Sequence, residues 1–185
     1  MVGVCVCVWC NVMWSVCSLC REMERVMDRE REGEREAVLC VLCRDMGGRD
    51  RGRTTIFLQG CNRGCLNCHN KEIWDINKGN TIEIKELISN ISDYNFTKKV
   101  TISGGEPLMQ IKELKELIFL LYKEGYDIGL YTSYEFEEIP KDILKYLTFV
   151  KVGKYVEKLK IENKYYGSSN QKILFLYKGE IKNEN

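Results

Sequence analysis

From residue 53 onward, apolar and polar positions alternate with two periods, and each change of period marks an element. The stretch "TTIFLQ" (54–59) is short and rich in β-formers, and predicts a buried strand. Residues 80–91 place Ile84, Leu87, Ile88 and Ile91 on one helical face, with Asn80 three positions before Glu83 as a cap signature. Residues 98–103 alternate as a strand does. Residues 110–124 put Ile111, Leu114, Leu117, Ile118 and Leu121 on one face of a second helix, which Gly125 is expected to stop. A strand follows over 126–132. The spacing predicts a third helix over 136–147, with Phe136, Ile139, Ile143 and Leu147 inward and Pro140 either in its first turn or breaking it. Two more strands are expected over 148–153 and 172–178.

Strands alternating with helices predict an α/β fold with a parallel sheet and crossover helices. In such sheets ligands bind beyond the carboxyl ends of the strands. The unusual stretches all fall at that edge. A cysteine loop follows the first strand, "SGGEP" (103–107) the second, "YTSYE" (131–135) the third and "KVGKY" (151–155) the fourth.

The chain changes character near residue 50. Residues 21–36 are a low-complexity run of charges, which reads as a solvated helix or a segment without fixed structure. Around it lies a short repeat, "CSLCREM" (17–23) and "CVLCRDM" (40–46). Its cysteine pairs are spaced C-x2-C-x19-C-x2-C, which by spacing alone is a structural zinc pattern. The competing reading is duplication in a compositionally biased leader, because these pairs sit among Val, Leu and Arg rather than turn residues. We therefore expect residues 1–50 to stand apart from the fold and residues 51–185 to form the domain. Residues 1–20 are apolar but interrupted by Asn11 and Ser15, carry no basic start, and are not expected to insert in a membrane.

Composition narrows the classes. A net charge of +1 leaves no electrostatic footprint for nucleic acid. Of the ten cysteines, seven fall in residues 1–43 and three at 61, 65 and 68, with none later. A disulfide framework would spread them through the fold, so a reducing, cytoplasmic setting is expected. With a single histidine, a Ser–His–Asp hydrolase is excluded in practice.

"GCNRGCLNCHN" (60–70) carries Cys61, Cys65 and Cys68 on a C-x3-C-x2-C spacing. Three thiolates within eight residues can converge on one centre. Zinc wants a fourth protein ligand, and His69, adjacent to Cys68, is poorly placed to supply it. A [4Fe–4S] cluster held by three cysteines keeps one iron open for a substrate or cofactor, as a reactive site does. Idle core thiols sit poorly with a polar segment punctuated by glycine.

The cysteine spacing after the first strand, with G-G-E-P after the second, resembles the radical S-adenosylmethionine (SAM) superfamily. That resemblance implies a small open β/α barrel. It implies that Cys61, Cys65 and Cys68 hold a [4Fe–4S] cluster whose open iron is chelated by SAM, which is cleaved to a 5′-deoxyadenosyl radical. Gly104 and Gly105 would let the backbone approach the methionine part. Glu106 would accept from its ammonium group, and Pro107 would fix the turn. Asn67, His69 and Thr132 would flank the same cofactor, with no catalytic side chain beyond the cluster and SAM site. More narrowly, residues 53–75, "SGGEPL" (103–108), "LYTSYEFEE" (130–138) and "YYGSSNQKI" (165–173) look like the activating proteins of anaerobic ribonucleotide reductases. This implies a glycyl radical made on the large subunit of the anaerobic ribonucleoside-triphosphate reductase, with electrons from a flavodoxin- or ferredoxin-like donor.

Departures from that pattern are His69 where an aromatic residue is common, Ser133 where glycine is common, and only Asp50, Gly52 and Arg53 of a D-G-x-G-x-R-like segment. Residues 1–45 match nothing in it, so the leader is expected not to be the family's native start. Lys151, Lys154 and Tyr155 end the fourth strand and face either cofactor, partner or solvent. Two rivals remain on this reading: another small radical SAM enzyme, whether an activase of a different glycyl-radical enzyme or a deazaguanine synthase, and a zinc-binding module built on the leader's cysteine pairs.

Overall fold

A computed structural model describes residues 43–45, 53–68, 70–78, 81–94, 97–161 and 166–184. Its strands are β1 (Cys43–Asp45), β2 (Arg53–Leu58), β3 (Lys99–Gly104), β4 (Asp127–Tyr131), β5 (Phe149–Val152), β6 (Lys172–Tyr177) and β7 (Glu180–Glu184). They form one seven-stranded sheet in sequence order. β2 through β5 are parallel, joined by α1 (Ile84–Tyr94), α2 (Ile111–Lys123) and the short α3 (Lys141–Leu144). β1 pairs antiparallel with β2, and β6 and β7 return antiparallel beyond β5. The sheet does not close, so the architecture is an open, partial β/α barrel.

Alternation places Ile56, Leu58, Val100, Ile102, Ile128, Leu130, Val150, Val152, Leu174 and Leu176 in one core with the helices. Every apolar position assigned to the faces of α1 and α2 is buried or packed against that core. α2 ends as expected. Gly125 takes φ +77°, its N–H donates to Tyr122 O, and Tyr126 N–H donates to Leu121 O, the two bonds of a Schellman cap. The opposite sheet face carries Arg53, Thr101, Tyr131, Phe149 and Phe175. There Arg53 donates to Thr101 Oγ1 and pairs with Asp127 at 2.8 Å. Burial pushes the Asp127 carboxyl up, but hydrogen bonds from Arg53 and Thr148 and the Arg53 charge outweigh it and hold it below the usual range.

Two expectations are corrected, and one unannounced strand appears. The helix expected over 136–147 is a 3-10 turn, Phe136–Glu138, followed by the four-residue α3. Pro140 breaks it: Ile139 (ψ 130°) and Pro140 (ψ 124°) are extended, because a proline ring excludes the α conformation from the residue before it. Ile139, Ile143 and Leu147 are nevertheless buried, so the apolar pattern survives the break. β6 is not part of the parallel set but pairs antiparallel with β5; among the described residues between them there is a 3-10 turn, Glu157–Leu159, and no α-helix. β7 is fully exposed and carries no apolar alternation to announce it.

β1 falls inside the 1–50 leader yet pairs with β2. The other leader features lie outside the described residues, including the charge run, all the cysteines but Cys43, and the apolar stretch 1–20. So does the Asn80 cap. Among the described residues, no helix is long and apolar enough to cross a membrane.

Candidate active site

The carboxyl ends of β2, β3, β4 and β5 meet as expected. After β2 the chain leaves the sheet into the cysteine loop, which is pinned at its base by Gly60 N–H to Ile73 O (2.7 Å) and Cys61 N–H to Trp74 O (3.0 Å). The turn after β3 lies against that base. Gly105 N–H donates to Leu58 O (2.9 Å) and Glu106 N–H to Gly60 O (2.8 Å). These bonds explain both glycines. A Cβ on Gly104 (φ +121°) would stand 2.3 Å from Leu58 N and O, and one on Gly105 2.0 Å from Gly60 O. The close approach that demands glycine here is made by the chain's own backbone.

Cys61, Cys65 and Cys68 are free thiols, each half-buried. Cys68 N–H donates to Cys65 O (3.2 Å), closing a turn in which Asn67 takes φ 54°, a left-handed conformation that asparagine tolerates. The Asn70 N–H donates to Cys68 Sγ at 3.4 Å. Burial pushes the Cys61 and Cys65 thiols up. The negative charge of Glu106 adds to this at Cys61, whereas the Lys154 ammonium opposes it at Cys65. Among the described residues, no three His, Cys, Asp or Glu side chains are grouped tightly enough for a single metal ion. The donor chemistry suits an iron–sulfur cluster: three thiols lie on one loop, and Cys68 receives a main-chain N–H, the kind of bond that tunes such clusters.

Glu106 is 0% exposed, and its carboxylate is filled from within the chain. Oε1 accepts from Leu108 N–H (3.1 Å) and Thr132 Oγ1 (2.7 Å). Oε2 accepts from Ser133 N–H (2.8 Å) and from the Ser133 hydroxyl. Four donors saturate a carboxylate. An ammonium approaching it would displace one of them, and the Ser133 hydroxyl needs only to rotate. Thr132 is buried at the expected strand end, and Pro107 opens the 3-10 turn that Glu106 caps. In the sequence Ser133 stands out only as a departure from a glycine, and Arg63 carries no signal beyond its place between Cys61 and Cys65. The Arg63 guanidinium covers the Tyr134 ring (4.4 Å) and donates to Ser133 O (3.4 Å), tying the cysteine loop to the end of β4. His69 lies outside the described residues.

Lys151 is half-buried on the sheet face without helices, 4.8 Å over the Tyr131 ring. Desolvation lowers its pKa to about 8. Lys154 is exposed at the rim.

The profile of a family described as a 4Fe-4S single cluster domain matches residues 47–174. An anaerobic ribonucleoside-triphosphate reductase-activating protein of Enterobacteria phage T4 is 32% identical over 130 residues, spanning 65% of this chain and 82% of that relative. A protein of the same name from Salmonella typhi is 32% identical over 135 residues, spanning 65% of this chain and 86% of the relative. A pyruvate formate-lyase-activating enzyme of Staphylococcus epidermidis is 37% identical over 87 residues, which span 44% of this chain and 35% of the relative.

Proposed function

The chain belongs to the family of anaerobic ribonucleoside-triphosphate reductase-activating proteins, which are radical SAM enzymes, and from that premise we propose that it generates a glycyl radical on the large subunit of the anaerobic reductase. In this reading Cys61, Cys65 and Cys68 hold a [4Fe–4S] cluster. Gly104, Gly105, Glu106 and Pro107, with Asn67, His69 and Thr132, border the SAM site. When bound and reduced, the cluster supplies the electron that breaks a carbon–sulfur bond of SAM.

The chain's own residues do the positioning. The Gly105 and Glu106 amides hold the turn after β3 to the base of the cysteine loop. Glu106 in turn holds Thr132 and Ser133 at the end of β4. One rigid unit thus carries both the thiols and the cofactor-facing backbone. The observation that carries the reading is the set of three half-buried free thiols on one loop, whose base is bonded to the glycine turn after β3 at the carboxyl edge of the parallel strands. Idle core thiols have no need of such a loop, whereas cluster ligands must converge on one centre. The electron donor is of flavodoxin or ferredoxin type, and the setting is cytoplasmic.

The test is anaerobic reconstitution with iron and sulfide, followed by reduction in the presence of SAM. The chain is expected to form 5′-deoxyadenosine, and a glycyl-radical EPR doublet is expected only when the anaerobic reductase is added. Cys65→Ala is expected to assemble no cluster; an intact, SAM-cleaving cluster in that variant refutes the ligand assignment. Similarity to a pyruvate formate-lyase-activating enzyme favours a second reading, activation of a different glycyl-radical enzyme. A doublet on pyruvate formate-lyase and none on the anaerobic reductase would select it. Zinc without iron or sulfide would sink both.

A further inference from the structure

Glu106 is a buried carboxylate without a counter-charge. Among the described residues the ion pairs are Arg53–Asp127, Lys115–Asp142 and Lys172–Glu184, and none includes it. Buried charges are normally paired or bound to a cation. All four donors to Glu106 are neutral groups of the chain: the N–H groups of Leu108 and Ser133, and the hydroxyls of Thr132 and Ser133. The counter-charge is thus left to a ligand, and a cationic amine suits it, because an N–H of an ammonium makes a charge-assisted bond to a carboxylate.

The four donors are not equally held. Two are main-chain N–H groups, fixed with the turn after β3 and the end of β4. The Thr132 hydroxyl belongs to a buried residue, and its oxygen also accepts the Tyr134 N–H (3.2 Å). The Ser133 hydroxyl belongs to a half-buried residue and, among the described residues, bonds to Glu106 Oε2 alone. The Ser133 main chain is anchored on both sides. Its N–H donates to Glu106 Oε2 (2.8 Å), and its carbonyl accepts from Arg63 (3.4 Å). This hydroxyl can therefore turn to another rotamer while the main chain stays in place. It is also the donor that glycine, the common residue at this position of the family pattern, would lack.

We propose that the Ser133 hydroxyl stands in for the ammonium of the cofactor's amino-acid part: it holds one bonding position of Glu106 until the ligand arrives, turns away as the ammonium takes that position, and so lowers the affinity of this chain for SAM. This holds on the reading that Glu106 borders the SAM site. Binding then exchanges a hydroxyl–carboxylate bond for an ammonium–carboxylate bond. The second is the stronger, because both partners are charged. The first must nevertheless be broken, and a hydrogen bond to a charged group is worth more than one between neutral groups. Removing the hydroxyl lifts that competition for a ligand that carries the amine, and for no other.

The test is equilibrium binding of two probes to the anaerobically reconstituted full chain, kept oxidised so that no SAM is cleaved. One probe is SAM. The other is its desamino analogue, in which hydrogen replaces the amine. Ser133→Ala keeps the main-chain N–H on Glu106 and loses only the hydroxyl. It is expected to carry the iron and sulfide of the wild type and to bind SAM about tenfold more tightly. Its affinity for the analogue is expected to be unchanged. If Ser133→Ala takes up no iron, Ser133→Gly, which also lacks the hydroxyl, decides on the same terms. An unchanged or weaker affinity for SAM in the cluster-loaded variant overturns the proposal. So does an equal gain for both probes, which would mean that the hydroxyl only narrows the site. A cluster-loaded wild type that binds SAM no better than the analogue also sinks it, because Glu106 then receives no ammonium, while the cluster assignment stands. A wild-type chain that assembles no iron–sulfur cluster overturns both this proposal and the functional reading.

Discussion

Glu106 shows how much one side chain does when all its bonding capacity is used. Its carboxylate joins the turn after β3 to the end of β4 through Leu108, Thr132 and Ser133. Glu106→Gln keeps the shape but turns one acceptor into a donor, leaving at least one buried N–H or O–H facing another. The expected cost is about 1–3 kcal/mol of unfolding free energy, measured by urea titration of the cluster-free chain. Unchanged stability would mean that the site relaxes around the amide. Lys151 presents the opposite case, a half-buried ammonium with no ion-pair partner among the described residues. Its folded pKa, about 8, lies below its ordinary value of 10.5. Between those two values the unfolded chain binds more protons than the folded one, so stability rises with pH there. Lys151→Met is therefore expected to be more stable than the wild type at pH 7, with the gap narrowing as pH rises from about 8 towards 10.5. A gap that stays constant with pH would show that desolvation of the charge is not the cause.

At the level of elements, the site depends on how closely the turn after β3 can lie on the base of the cysteine loop. Two glycines separate contact from conformation. Gly105→Ala would drive a Cβ to 2.0 Å from Gly60 O, so one backbone must move. Gly64 has φ +57° and open space around it, so Gly64→Ala meets strain alone. The expected costs are about 3 kcal/mol or more for Gly105→Ala and about 1 kcal/mol for Gly64→Ala. Only the first is expected to lower the iron bound per chain on reconstitution. Equal losses in both variants would mean that the close approach at Gly105 is not what holds the loop. The contrast also shows what could be read in advance. α1 and α2 were legible because a helix buries a stripe with its own period. The third helix was legible as an apolar pattern but not as a helix, because Pro140 acts on the backbone and leaves the spacing of Ile139, Ile143 and Leu147 intact. β7 offered no pattern, since all its side chains face solvent. In the site, the three cysteines and the glycine turn were visible because their chemistry resides in side-chain identity or in its absence. The main-chain bonds that lay the glycine turn on the cysteine loop, Gly105 N–H to Leu58 O and Glu106 N–H to Gly60 O, were not visible. A main-chain donor has no residue signature, and nothing in the spacing links positions so far apart.

For the whole molecule, the question is which part of the chain supports the site. Among the described residues, the buried apolar core runs from Ile56 to Leu176, and the family profile begins at residue 47. Each strand and helix that positions the thiols or the glycine turn lies within residues 53–184. Among the described residues, β1 pairs with this unit as an antiparallel edge strand on β2, at the end of the sheet opposite β7. Stability comes mainly from apolar burial, and the described core begins at Ile56. A chain that begins at Cys43, retaining β1 and lacking residues 1–42, is therefore expected to have the urea midpoint of the full chain and the same iron and sulfide per chain after reconstitution. Zinc analysis of both chains separates the leader's cysteine pairs from the cluster loop. If the pairs at 17/20 and 40/43 hold a structural ion, the full chain will carry one equivalent of zinc beyond the shortened chain and will unfold later than it. Equal midpoints with equal metal content place the folded, cluster-binding unit after residue 42. A lower midpoint or a loss of iron in the shortened chain would assign part of the site's support to residues 1–42.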